Sequence, residues 1–373
     1  MKKKLIIFHP TIAPYRVDFF NDLYEGFLTE IFLYYRNLKS QKFNYEEIEK
    51  KFLFIPHYMK KMISFGDREI YKGSIKEILK GKPDIVIVGE YGFGTWAVVV
   101  ARVLSKRRFK IISICDDSEK IAVECDGLRK FSRDLLIRFL DGLILCSYNT
   151  ERWYKKYFKI ETFVFPIIRN EREFREELRK AIPLANRKIR EYALGKKHVF
   201  VFIGRLVKEK NVEYLVTSFI RASRQYKDIR LFIIGEEDNN YSGMKDRLNS
   251  LIDEGQADEQ IQLLGRLEGD ELNAWFNIGQ VLVLPSVYEP FGAVTNEALL
   301  AGQYVMVSKN AGSAGLVNQK NGEILDIYRE YIDFREIIGR LNPLPEQLEL
   351  RESKMPYSYN ELMNGLKKWM NEL

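Results

Sequence analysis

The chain alternates short apolar runs with amphipathic stretches almost from end to end. Runs of β-branched and aliphatic residues at 4–9, 31–35, 85–88, 110–115, 142–146 and 163–166 predict buried strands. Between them, 17–26, 95–104, 128–140 and 149–157 carry apolar positions at helical spacing. The alternation restarts after residue 198, with strands predicted at 199–203, 230–235, 261–264, 281–284 and 304–308. Helices are predicted there at 211–224, 242–254, 268–276 and 291–301. Strands separated by helices at this spacing predict an α/β chain with a doubly wound parallel sheet in each half. Ligands of such sheets sit beyond the carboxyl ends of the strands.

The segment 169–197 breaks the rhythm. It is charge-rich and helix-prone with Pro183 near its middle, and reads as an interdomain connection plus a surface helix. This gives an amino-terminal domain over 1–168 and a carboxy-terminal domain over 198–356. The tail 357–373 predicts a last helix with Leu362, Leu366 and Trp369 on one face.

At 373 residues, 46% apolar and 13% aromatic, the chain can bury two cores of ordinary size. No uncharged apolar run approaches the roughly 18 residues of a membrane span. Leu5–Phe8 follows three lysines but is too short for a signal-peptide core. Cys115, Cys125 and Cys146 have no metal-like spacing and suit reduced thiols in the cytoplasm. The net charge of +7 is uneven: residues 1–170 hold 31 Lys and Arg against 21 Asp and Glu. Solubility explains such an excess, and so does an anionic membrane surface. Phe52–Met62, which mixes aromatics and methionine with Lys60 and Lys61, fits a lipid surface or a core segment with a basic rim. No nucleic-acid module accompanies the charge.

Chemistry concentrates in Val281–Gly302, VLVLPSVYEPFGAVTNEALLAG. A buried strand ends at Pro285, a turn follows, and the helix predicted from Phe291 ends with Gly302 just past its last turn. Free N–H groups and the helix dipole at such a junction suit a phosphate. Gly292 has no Cβ, so a ligand can approach its backbone. Glu289 and Glu297 flank the junction as acceptors for sugar hydroxyls. A second strand-loop-helix junction reads Phe202-Ile203-Gly204-Arg205-Leu206, then Lys208-Glu209-Lys210-Asn211. Arg205 and Lys210 place two cations where a diphosphate could lie.

Taken together, Ser286, Glu289-Pro290-Phe291-Gly292, Asn296-Glu297-Ala298 and Ala301-Gly302 resemble the signature of retaining glycosyltransferases of family 4. Gly204-Arg205-Leu206 with Lys210-Asn211 is similar to a second element of that family. The likeness is sharp over 199–302. It implies a GT-B fold, with two Rossmann-like domains facing a central cleft and the last helix crossing back to the amino-terminal domain. It further implies that Gly204, Phe291, Gly292 and Ala293 meet donor phosphate and sugar through the backbone. Arg205 and Lys210 would bind the pyrophosphate and stabilise charge on the leaving nucleotide. Glu297 would hold the ribose, and Glu289 the donor sugar.

No metal or other cofactor is implied, since no D-x-D ends a strand and Asp116-Asp117 is the nearest approximation. Glu236-Glu237-Asp238 replaces the second Gly-rich turn usual in relatives, leaving uridine and guanosine both open. Gly265-Arg266-Leu267 suits the nucleobase or a surface turn.

On the acceptor side, His9, Tyr15 and Arg16 occupy the first strand-helix loop, HPTIAPYR, which replaces the Gly-rich turn of many relatives, while APYR followed by Val17–Leu23 resembles a subset of bacterial family members that build surface polysaccharides. Relatives often carry a histidine after a middle strand of the first domain. Asp116 or Asp117 stands there, either contacting the donor sugar or acceptor or capping the next segment. Asp117 is thus a catalytic candidate beside Arg205, Lys210 and Glu289, and Glu90 a third acceptor-side carboxylate.

The sequence therefore predicts a retaining, metal-independent hexosyltransferase. Its partners would be a UDP- or GDP-sugar and a glycan or lipid-linked acceptor, possible contact being with the inner face of an anionic membrane. A catalytically silent binder of nucleotide sugars or glycans on the same fold is the alternative. A nicotinamide oxidoreductase would need G-x-G-x-x-G where HPTIAPYR stands.

Overall fold

The computed structural model describes residues 2–36, 45–65, 68–105, 108–237 and 243–373 of the chain. It divides into two compact units, one formed by Met1–Arg169 with Tyr359–Leu373 and the other by Asn170–Ser358.

The first unit has strands β1 (Lys4–His9), β2 (Leu28–Leu33), β3 (His57–Tyr58), β4 (Lys60–Phe65), β5 (Arg68–Lys72), β6 (Ile85–Gly89), β7 (Lys110–Cys115), β8 (Gly142–Leu145) and β9 (Glu161–Val164). Its helices are α1 (Val17–Gly26), α2 (Tyr45–Glu49), α3 (Ser74–Gly81), α4 (Phe93–Leu104), α5 (Glu119–Glu124), α6 (Gly127–Leu136) and α7 (Tyr148–Tyr157). Seven strands form one parallel sheet in the order β3-β2-β1-β6-β7-β8-β9, while β4 and β5 pair as a separate antiparallel hairpin. The central strands are buried on both faces, which explains their continuous apolar runs.

The second unit begins with α8 (Glu171–Glu191). It continues through β10 (His198–Ile203), α9 (Val212–Gln225), β11 (Ile229–Ile234), α10 (Met244–Glu254), β12 (Ile261–Gly265) and α11 (Gly269–Ile278). Then come β13 (Val281–Leu284), α12 (Val294–Leu300), β14 (Tyr304–Ser308), β15 (Gly322–Leu325) and α13 (Arg335–Gly339). Its six-stranded parallel sheet runs β12-β11-β10-β13-β14-β15. Phe200, Phe219 and Phe334 meet edge to face in its core.

Both sheets reverse direction at one place. After β1 the chain goes to β2 on one side and later to β6 on the other; β10 likewise lies between β11 and β13. These switch points open crevices at the carboxyl ends of β1 and β6, and of β10 and β13.

Several predicted boundaries move. Residues 171–191 are a surface helix with one buried face, and the whole of it belongs to the second unit. They form one helix whose buried stripe, Phe174, Leu178, Ala181, Ala185 and Ile189, belongs to the second unit, where Phe174 meets Phe276 of α11 edge to face. Asn170 caps it by accepting from Arg172 N–H, and Pro183 lies inside it. The helix expected from Phe291 starts only at Val294, because Gly292 takes φ +88° and turns the chain first. The helix expected over 128–140 ends at Leu136 and tightens into a 3₁₀ turn. Ser242, where a helix was predicted to begin, lies outside the described residues.

The last helix, α14 (Tyr359–Glu372), is part of the first unit. Its buried line is Tyr359, Met363, Leu366 and Met370, with Leu362 and Trp369 half-buried beside it. Tyr359 donates to Asp22 on α1, and Trp369 packs on Phe163.

Candidate active site

At the second unit's switch point, three bonds staple the loop after β10 to the turn after β13. The Asn211 side-chain amide donates to the Pro285 carbonyl at 3.3 Å, and Val287 N–H donates to the Glu209 carbonyl at 2.8 Å. Lys210 Nζ donates to Glu289 Oε2. Asn211 holds φ +57°, a left-handed conformation that asparagine tolerates and that ends the loop where α9 begins. Lys210 and Glu289 are both largely buried, so each charge is neutralised chiefly by the other.

The turn itself rests on a segment that sequence reasoning passed over. Gly312 N–H donates to the Glu289 carbonyl at 3.2 Å, and Ser313 N–H to the Phe291 carbonyl at 2.7 Å. A Cβ on Gly312 would lie 2.3 Å from the Pro290 carbonyl oxygen, so this close approach needs glycine. Ser313 Oγ and Thr295 Oγ1 share a buried hydrogen bond, fixing the first turn of α12. Phe291 is buried, and Ala293 occupies the cap position before α12. Glu297 lies in that first turn, half-buried. Ser286 Oγ is fully buried without a hydrogen-bond partner among the described residues.

Gly204 follows β10, and its N–H donates to the Ile234 carbonyl. Arg205 beside it is exposed. Thus Gly204, Arg205, Lys210, Glu289, Phe291, Gly292, Ala293 and Glu297 all lie along the carboxyl edge of adjacent strands β10 and β13. At the neighbouring strand ends, Arg266 bridges Glu236 at 2.8 Å and also donates to Glu268. Glu237 accepts from Lys245 N–H, and Asp238 lies outside the described residues.

The first unit gathers a second polar group at its own switch point. Arg16, buried, donates to Asp116, whose side chain is partly exposed. His9 donates from Nδ1 to the Thr11 carbonyl at 2.6 Å. Burial lowers the His9 pKa to about 4, so the ring is neutral near pH 7. Tyr15 is half-buried in the same 3₁₀ turn. Asp116 and Asp117 do not cap α5; Ser118 does, accepting from Ile121 N–H at 3.3 Å. Asp117 is buried and takes a 3.0 Å bond from Arg129 of α6, a cation that no spacing in the sequence singled out. Burial raises the Asp117 carboxyl, and Arg129 partly offsets this.

Glu90 stands 3.6 Å from the same guanidinium. Its backbone is left-handed, with φ +48°, held by Thr95 Oγ1 donating to its carbonyl at 2.8 Å and Ser113 Oγ at 3.1 Å. Withdrawal from bulk water, with Asp117 nearby, raises the Glu90 pKa to about 7. Among the described residues, no three His, Cys, Asp or Glu side chains converge as a metal site would require. All three cysteines are free. Among the described residues, no helix is long and apolar enough to cross a membrane. In 52–62, Phe54 is buried and Phe52 stacks on it, whereas Leu53, Ile55 and Met62 face solvent.

Comparison with known proteins places these features in context. Residues 186–349 match the family described as glycosyl transferases group 1. An uncharacterized glycosyltransferase of Methanocaldococcus jannaschii is 33% identical over 122 residues, which is 33% of this chain and 30% of the relative. The D-inositol 3-phosphate glycosyltransferase of Pseudarthrobacter chlorophenolicus is 32% identical over 130 residues, 34% of this chain and 30% of the relative. The chain thus spans about a third of the length of the curated relatives it matches. Among solved structures, Anabaena Alr3699/HepE in complex with UDP and glucose superposes with a TM-score of 0.71 over 100% of both chains, at 11% identity. The chain therefore has the GT-B fold, and its residues 186–349 are similar to the glycosyl transferases group 1 family.

Proposed function

We propose that the protein is a retaining, metal-independent glycosyltransferase of family 4. It moves a hexosyl unit from a UDP- or GDP-sugar to a glycan or lipid-linked oligosaccharide in surface-polysaccharide synthesis, at the cytoplasmic face of an anionic membrane. The observation that carries this reading is the stapling of the Gly204–Asn211 loop to the Pro285–Gly292 turn through Lys210 and Glu289. It sets two cations, one carboxylate and a tight backbone turn along one sheet edge. A UDP complex of a protein with the same fold supports a nucleotide-sugar donor.

In this reading Arg205 and Lys210 hold the donor's diphosphate. As the glycosidic bond lengthens, negative charge grows on the departing phosphate, and fixed cations nearby stabilise that state more than the ground state. Glu289 accepts hydrogen bonds from the donor sugar, Glu297 from the ribose, and the Phe291–Ala293 backbone meets phosphate and sugar. Attack proceeds on the face the leaving group departs from, the phosphate oxygen receiving the acceptor's proton, so that configuration is retained. Glu90, Asp116, Asp117, His9, Tyr15 and Arg16 form the acceptor-side group.

Incubation of the full chain with a panel of UDP- and GDP-sugars tests this, reading nucleotide release and thermal shift together. Release of one nucleotide, slowed about 10²-fold by Arg205→Ala, is expected. Stabilisation by a donor without release, with any acceptor supplied, would mark a silent binder instead. Neither response to any donor would remove the reading altogether.

A further inference from the structure

The helices α4, α5, α6 and α7 lie over β6, β7 and β8 and pack on one core, which includes Val98, Ala122, Leu136 and Tyr154. Their outer surface carries large apolar side chains that no other described element covers. Val103 is 78% exposed, Leu128 77% and Phe131 66%, with Leu104 and Val123 close behind. The first turn of α4 adjoins α6, because Trp96 Nε1 donates to Ser132 Oγ at 2.9 Å. Phe93 and Val100 on α4 are 42% and 43% exposed, and Val103 and Leu104 lie at its far end. Scattered exposed apolar residues are ordinary, but several on neighbouring helices of one layer make a patch.

Beside it, between α5, α6 and α7, lies a groove of about 850 Å³. Lys130, Arg152 and Lys156 line it with Trp153 and Tyr157, and its acids are Glu119 and Asp134. Asp134 is already paired with Arg133 at 3.0 Å, so the remaining balance of the groove is positive. Arg133 is itself buried. It donates to the Ala122 carbonyl at 2.6 Å and lies 4.8 Å from the Trp153 ring centre, which fixes that aromatic wall.

We propose that this face docks on an anionic lipid bilayer, with Leu128 and Phe131 entering the interface and the groove between α5, α6 and α7 taking a phospholipid phosphate. This deepens the membrane contact in the proposed function by naming the surface, and it needs no donor chemistry. Apolar side chains three residues apart on α6, with Lys130 between them, are the pattern of a helix lying in the headgroup layer, where lysine stems reach past apolar neighbours to phosphates. A second copy of the chain fits less well. A two-fold contact through this face would bring two copies of the same positive groove close together. The 52–62 stretch, where Phe52 and Phe54 stack but Leu53, Ile55 and Met62 also face solvent, is the rival surface that the third variant below tests. One consequence concerns the acceptor: Arg129, next to Leu128, reaches Asp117 and Glu90, so the helix that would dock on the bilayer also supplies those carboxylates' cation.

The test is flotation of the full chain with vesicles of phosphatidylglycerol and phosphatidylcholine, against phosphatidylcholine alone. Three double variants are compared: Leu128→Ser with Phe131→Ser, Lys130→Glu with Lys156→Glu, and Lys60→Glu with Lys61→Glu. Binding confined to the anionic vesicles is expected. The first two variants should weaken it about tenfold or more, on the scale of removing two inserted side chains or two cations, and the third should leave it intact. No binding, equal binding to both vesicles, or loss only in the third variant would overturn the proposal. So would a lipid-free dimer, seen by sedimentation velocity, that Leu128→Ser with Phe131→Ser dissociates. Thermal shift with UDP and GDP, unchanged in the variants, keeps this outcome separate from that of the donor site.

Discussion

Lys210 and Glu289 are 79 residues apart in sequence, yet the lysine ammonium donates directly to the carboxylate, and both side chains are mostly hidden from solvent. A pair in this setting is costly to break from one side, since the partner left behind is an uncompensated charge. Lys210→Met should therefore destabilise the second unit by about 3 kcal/mol, and adding Glu289→Gln should restore part of the loss. A double-mutant cycle by chemical denaturation measures the coupling. Additive effects would mean that the two side chains do not depend on each other. In turnover, Lys210→Ala and Arg205→Ala should each lower kcat by about 10²-fold, as for removal of one donor to a developing anion.

Two groups in the first unit pull its stability in opposite directions with pH. His9 titrates near 4 in the folded chain instead of 6.5. As pH falls through that window the unfolded chain takes up a proton that the folded one refuses, so stability is lost. Glu90 titrates near 7 instead of 4.5, and here the folded chain holds the extra proton, so stability is lost as pH rises from 4.5 to 7. Half of the Glu90 side chain still meets solvent, which moderates the effect. Thermal denaturation across pH 4 to 8 should show Glu90→Gln more stable than the parent at pH 8, with a smaller decline toward high pH. His9→Asn should flatten the acid limb. Parallel profiles for all three proteins would contradict both assignments.

Arg351 places one terminal nitrogen, Nη2, against three carbonyl oxygens, those of Phe276, Asn277 and Gly279, at 3.1, 2.9 and 2.6 Å. These are carbonyls at the end of α11, where a helix has no partners of its own for them. Burial lowers the arginine to about 10, which still leaves it charged at neutral pH. Arg351→Met should cost about 3 kcal/mol, the order of a charged hydrogen bond lost with its acceptors left buried. A denaturation midpoint within error of the parent would show that water replaces the guanidinium.

Gly235 follows β11, and a Cβ there would lie 1.8 Å from the Gly204 carbonyl oxygen. Its φ of +150° is also one that side chains avoid. Gly235→Ala should push the Gly204–Arg205 backbone aside, at about 1–3 kcal/mol for overpacking. It should also abolish the thermal shift given by UDP or GDP. A full nucleotide shift in a stable Gly235→Ala protein would place the donor elsewhere.

The two sheets were legible because strands buried on both faces must be written as continuous apolar runs, and helices between them as periodic ones. Helix starts were harder. The approach to α12 looks helical from Phe291 onward, and only the left-handed turn at Gly292 delays it to Val294. Residues 171–191 read as a connection plus a surface helix because charge dominates their composition, while a stripe of small and large apolar residues was enough to make them one helix with a buried face. On the donor side, Gly204–Asn211 and Pro285–Glu297 each announced themselves by local spacing. Their union through Lys210 and Glu289 depends on strand order, which no local window contains. Arg129 escaped notice for the same reason: it lies on α6, yet its partners Asp117 and Glu90 stand at the ends of β7 and β6.

The last helix belongs to the unit whose strands are translated first, whereas the other unit is one unbroken stretch from Asn170 to Ser358. During synthesis the segments therefore become available out of order. The later-encoded sheet has all its parts once residue 358 has left the ribosome. The earlier one must wait for Tyr359, Leu366 and Trp369 before Asp22 and Phe163 have their partners.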